Sequence, residues 1–132
     1  MPPHNSEELK PEAGANNKPK SATDSASEAV IVYVTFPNSA EAEDVASHLV
    51  DLSLVACANI LPPMTSIYRW QGARQKDTEV VMLLKTRGPL ADRVTAEIVA
   101  RHSYETPAVV VLPIVGGSQP YLEWITAETA NA

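Results

Sequence analysis

Four stretches of this chain are apolar at nearly every position, and they alternate with segments whose apolar residues recur every three or four. Ala29 to Phe36 (AVIVYVTF) is β-branched and aromatic with almost no polar interruption, which predicts a strand buried on both faces. Ser39 then reads as an N-cap. Acids follow at Glu41, Glu43 and Asp44, and Ala42, Val45, Ala46, Leu49 and Leu52 fall at helical spacing, so an amphipathic helix is predicted to about Leu52. Val55 to Leu61 is a second apolar run closed by Pro62-Pro63, and Thr65 to Gln71 alternates like a strand with Ser66, Tyr68 and Trp70 on one face. Gly72 and the polar stretch to Asp77 read as a hairpin connection. Thr78 to Thr86 (TEVVMLLKT) is again apolar on both faces, and Gly88-Pro89 opens a helix with Leu90, Val94 and Ile98 on one stripe, ending near Arg101-His102. Pro107 to Val115 predicts a last buried strand. Gly116-Gly117 breaks it, and Ser118-Gln119-Pro120 starts a short helix carrying Tyr121, Leu122, Trp124 and Ile125.

Two crossover helices joined by a hairpin predict an α+β fold, the split, ferredoxin-like βαββαβ sandwich, followed by a short C-terminal helix. Two helices cover only one face of such a sheet, and the other face normally alternates polar residues toward water. Three of these strands are apolar on both sides. The short last helix is too small to cover the second face, so burial against further copies of the chain is expected.

The length of 132 residues is a prior for one domain. Residues 1–28 contain no Val, Ile, Phe, Trp, Tyr or Cys and are rich in Pro, Ser and Asn, so they are expected to form a disordered tail ahead of a domain spanning 29–132. The net charge of −6, with no basic stripe, argues against nucleic acid as a partner. No secretory-type apolar segment is seen, nor any run near the roughly 18 apolar residues of a membrane span. A soluble cytoplasmic protein with no membrane partner is expected. The single cysteine, Cys57, has no internal disulfide partner.

Several motifs in order carry a resemblance: Ala56-Cys57-Ala58-Asn59-Ile60-Leu61-Pro62, then Thr65-Ser66-Ile67-Tyr68-Arg69-Trp70-Gln71-Gly72, Glu79, Lys85-Thr86, His102-Ser103-Tyr104-Glu105, Leu112-Pro113 and Tyr121-Leu122-Glu123-Trp124. From Val30 to about Glu128 the chain resembles the divalent-cation tolerance protein family, CutA. The resemblance implies a ferredoxin-like fold assembled as a homotrimer through sheet edges, a link to divalent metal tolerance, and copper binding, with no firmly established reaction. Relatives with assigned copper sites are similar to one another in a first-strand Cys and a His-His pair before the Tyr. Here those positions hold Val34 and Arg101-His102, so only His102 carries over, and Ser103 stands where Pro is usual.

Two residues are therefore candidates for metal. Cys57 reads either as a small inert hydrophobe or as a soft ligand or redox-sensing thiol. His102 reads either as a helix C-terminal cap or as a metal or ligand contact beside Tyr104 and Glu105. One chain offers too few soft or imidazole donors, Met64 and Met82 included, for a complete copper site. Cu²⁺ or another divalent cation would then be bound weakly or shared between subunits. His48, among acids on the first helix, reads as solvated. Trp70, Lys85, Tyr104 and Glu105, with Tyr68, have the make-up of a small-molecule pocket, although Trp70 also suits an interface and Lys85 a surface cation. No catalytic residue is assigned, and a thiol hydrolase using Cys57 and His102 is the least supported reading. The expected function is a non-enzymatic homotrimeric protein of divalent-metal (copper) tolerance or response. The alternative is a trimeric regulatory module resembling PII signalling proteins, binding small anions or metabolites at subunit clefts.

Overall fold

The computed structural model describes residues 28–132, and the expected tail lies outside the described residues except for Glu28. Glu28 already belongs to the domain, because its carbonyl accepts the Gly88 N–H at 2.8 Å.

Strand β1 spans Ala29–Phe36, helix α1 Ser39–Asp51, β2 Cys57–Ile60, β3 Met64–Trp70, β4 Ala73–Arg87, α2 Ala91–Arg101, β5 Val109–Pro113 and α3 Gln119–Glu128, with a 3-10 turn at Gly88–Leu90 before α2. The cap of α1 is Asn38 rather than Ser39. Asn38 is extended and its side-chain oxygen accepts the Glu41 N–H at 2.9 Å, so Ser39 is the first helical residue. The hairpin also differs from expectation. Its turn is only Gln71-Gly72, with φ of 49° and 80°, and β4 begins at Ala73 opposite Trp70. Positive φ at both central positions is the geometry of the two-residue turns that match strand twist, and Gly72 suits it. The polar residues from Arg74 to Asp77 looked like loop because this end of the ladder has water on both faces.

The antiparallel sheet runs β2-β4-β1-β5, with β3 also pairing β4, which is the strand order of a ferredoxin-like α+β sandwich. The 15-residue β4 serves β3 with its first half and β2 with its second. On one face Val32, Val34, Phe36, Met82 and Leu84 pack against Val45, Leu49, Val94 and Ile98 of the two crossover helices. Val34, the first-strand position singled out by the resemblance, is therefore a core residue. His48 is not merely solvated: its Nε2 lies 3.2 Å from Glu97 and ties α1 to α2.

The second face holds Ile31 and Tyr33 of β1, half-buried, and their register partners Leu112 and Val110 of β5. Helix α3 reaches one end of the sheet, where Arg87 donates to the Thr129 hydroxyl at 2.9 Å and to its carbonyl at 3.0 Å. Among the described residues β5 is an edge strand paired only with β1, and in the single chain Val110 and Leu112 are 48% and 43% exposed, so the burial expected of this strand is left to contacts with further copies.

Candidate functional site

His102 follows the last turn of α2, and its own N–H still bonds back to the Ile98 carbonyl at 2.9 Å. Its ring does not turn back to cap the helix carbonyls. It slides under β1, where Nε2 donates to the Thr35 carbonyl at 2.7 Å and Nδ1 accepts the Tyr104 N–H at 3.0 Å. An amide N–H can only donate, so Nδ1 is the acceptor and the ring hydrogen sits on Nε2. The imidazole stacks on Phe36, with centroids 4.4 Å apart and planes 16° off parallel, and its side chain is 0% exposed. Glu41 steadies the following turn by accepting the Ser103 N–H at 3.2 Å. His102 thus fixes the path of the α2–β5 loop.

That loop closes one side of a cavity of about 600 Å³, within the range of small-molecule sites. Tyr104 and Glu105 come from the loop, Tyr68 and Trp70 from β3, Glu79 from β4, and Thr35 from the end of β1. Alternation along β3 puts Tyr68 and Trp70 on one strand face. The Tyr104 hydroxyl donates to Glu79 at 3.1 Å, and the Tyr68 hydroxyl donates to Asp77, diagonally across the β3–β4 ladder. Burial, and after it the hydrogen bond to Glu79, pushes the Tyr104 phenol up to about 12 from 10.0. Tyr68 is raised too, chiefly by its hydrogen bond to Asp77.

A raised phenol in the folded state has a defined linkage sign. Below pH 10 both states keep the Tyr104 proton, whereas between 10 and 12 the unfolded chain loses it first, so its contribution to stability fades as pH rises through that window. Tyr104→Phe is expected to flatten the alkaline fall in unfolding midpoint between pH 10 and 12. An unchanged slope would show that the phenol is not held by Glu79.

Of the residues expected to bind a ligand, Trp70, Tyr104 and Glu105 meet in this cavity and Lys85 does not. The Lys85 ammonium donates to the Asn59 side-chain oxygen across the β2–β4 ladder. Cys57 is opposite Lys85 in that ladder, and its sulfur lies 3.6 Å from the Tyr121 hydroxyl of α3. Burial and then the Cys57 contact push the Tyr121 phenol up to about 12. Thr35, the partner of His102, faces Val81, four residues from Lys85 along β4, or roughly 13 Å. Within one chain Cys57 and His102 are therefore not ligands of one centre, and Met82 is fully buried in the core. Arg101, at the position of a second histidine, lies 3.6 Å from Glu97. Among the described residues no group of three or more His, Cys, Asp or Glu is placed to hold a metal ion. Within one chain a copper donor set built on both Cys57 and His102 does not fit this arrangement. Glu79 and Asp77 were not expected as site residues. Glu79 had two signals, its place among the residues that carry the family resemblance and its position as a lone carboxylate entering an apolar run, TEVVMLLKT.

The family model described as CutA1 divalent ion tolerance protein matches residues 30–128. The chain belongs to that family. It is 42% identical over 102 residues to the chloroplastic CutA protein of Arabidopsis thaliana, which covers 77% of this chain and 56% of that one. To the divalent-cation tolerance protein CutA of Thermus thermophilus it is 39% identical over 99 residues, covering 75% of this chain and 96% of that protein. The crystal structure of CutA1 from Oryza sativa is similar with a TM-score of 0.76 and 38% identity, covering 82% of this chain and all of that one. The chain spans little more than half the length of the plant CutA proteins it matches. Among the described residues no helix is long and apolar enough to cross a membrane.

Proposed function

We propose that this CutA-family chain acts as a homotrimeric, non-enzymatic binding protein in the cytoplasmic response to divalent metal ions. The observation that carries the reading is the convergence of Trp70, Tyr104, Glu105 and Glu79 on one cavity, an arrangement suited to holding a ligand rather than activating a nucleophile. Cys57 faces a tyrosine and His102 is bonded at both nitrogens, so neither is set up as a thiolate–imidazole pair. Trimerisation is supported by the apolar β5 edge and the uncovered second sheet face, since exposed flat apolar edges invite pairing. The metal link is supported by family membership and by the name of the Thermus relative. Divalent-ion binding through His102 would be weak, because coordination at Nδ1 would displace the Tyr104 N–H. Calorimetric titration of the full chain with Cu²⁺ should give weak binding that Cys57→Ser leaves unchanged. Stoichiometric, tight binding that disappears in Cys57→Ser would overturn this reading.

The same cavity favours a second reading, a regulatory module that senses a small metabolite. Its charge selects among ligands. Among the described lining residues there are two carboxylates and no lysine, arginine or histidine, so the anionic ligands of a PII-like module are disfavoured.

A further inference from the structure

We infer that the cavity between the β3–β4 hairpin and the α2–β5 loop is a site for a small organic cation, such as a methylated or alkylated ammonium group. The inference rests on the second reading above, that this cavity binds a small molecule, and it names the ligand's chemical class.

Three observations lead to that class. First, three aromatic side chains, Tyr68, Trp70 and Tyr104, border a space otherwise lined mostly by apolar atoms. A cation within about 6 Å of such rings is attracted by their quadrupoles, and an alkylated ammonium suits an apolar pocket better than a hydrated metal ion. Second, the charges in the wall are Glu79 and Glu105, with Asp77 behind Tyr68. Third, both phenolic hydrogens are already donated to carboxylates, Tyr104 to Glu79 and Tyr68 to Asp77. The phenol oxygens therefore present lone pairs to the cavity, and no phenol donor is left for an anion. Trp70 is 54% exposed, so the mouth has an aromatic wall that a ligand can cover. Among the described residues no group of three or more His, Cys, Asp or Glu is placed here to hold a metal ion instead.

The test uses the full chain and follows the Trp70 indole N–H by NMR while three probes are added separately: tetramethylammonium, neutral tert-butanol and inorganic phosphate. Saturable shifts with tetramethylammonium alone are expected. Trp70→Leu should weaken its binding, read from the Tyr104 amide, by about tenfold, the scale of one desolvated cation–π contact. Glu105→Gln should also weaken it severalfold while leaving tert-butanol unaffected. Two outcomes overturn the inference and are separable. If tert-butanol or phosphate shifts Trp70 as strongly as tetramethylammonium, the cavity binds small molecules but the cationic class is wrong. If none of the three shifts it, the cavity is not a small-molecule site and the second reading falls as well.

Discussion

His102→Ala is expected to destabilise the fold by about 3 kcal/mol, seen as a lower denaturant midpoint with an unchanged slope. The substitution removes the donor to the Thr35 carbonyl, the acceptor of the Tyr104 N–H and the ring stacked on Phe36. A buried polar group left without its partner costs on the order of 1–3 kcal/mol, and the emptied ring volume adds to that. The α2–β5 loop should loosen with it, broadening the signals of Tyr104 and Glu105. A variant of normal stability would show that the imidazole is not the brace of this loop.

Leu112→Asp is the second large effect. Leu112 lies on the uncovered sheet face opposite Ile31, and in the proposed trimer a carboxylate there would be desolvated. Such a penalty is several kcal/mol per ion, enough to break an assembly. Light scattering is expected to show three chains of 14.2 kDa for the native protein and one chain for the variant, with a thermal midpoint lower by about 10 °C or more. Glu43→Gln, on the exposed side of α1, should change neither. A native protein that scatters as one folded chain would remove the trimer from the account.

The strands and helices were legible because α1 and α2 carry a helical period set by one packed face, while β1 and the second half of β4 carry unbroken apolar runs. The start of β4 was not. Residues Ala73 to Asp77 belong to a projecting hairpin with water on both faces, so their polarity mimics a loop. Strand β5 read as buried because its Val-Val-Val-Leu run is apolar on both sides, and sequence alone cannot say which buried-looking strand stands at an edge. The site was partly visible. Aromatic and charged residues at Trp70, Tyr104 and Glu105 pointed to a pocket, whereas Lys85 was drawn in by residue type although the register sends it to Asn59 at the other end of the sheet. Glu79 was hidden because its role depends on Tyr104, 25 residues away, reaching back across the cavity. The two duties of the His102 ring were likewise invisible, since Thr35 lies 67 residues earlier in the chain.

The account turns on His102 being the support of the cavity and not a metal ligand, and its ring nitrogens report this directly. A long-range ¹H–¹⁵N spectrum of the full chain, recorded while diamagnetic Zn²⁺ is added, should show His102 with its hydrogen on Nε2 and both ring signals unmoved at several equivalents of metal. Movement of the Nδ1 signal together with the Tyr104 amide, in proportion to bound Zn²⁺, would contradict it.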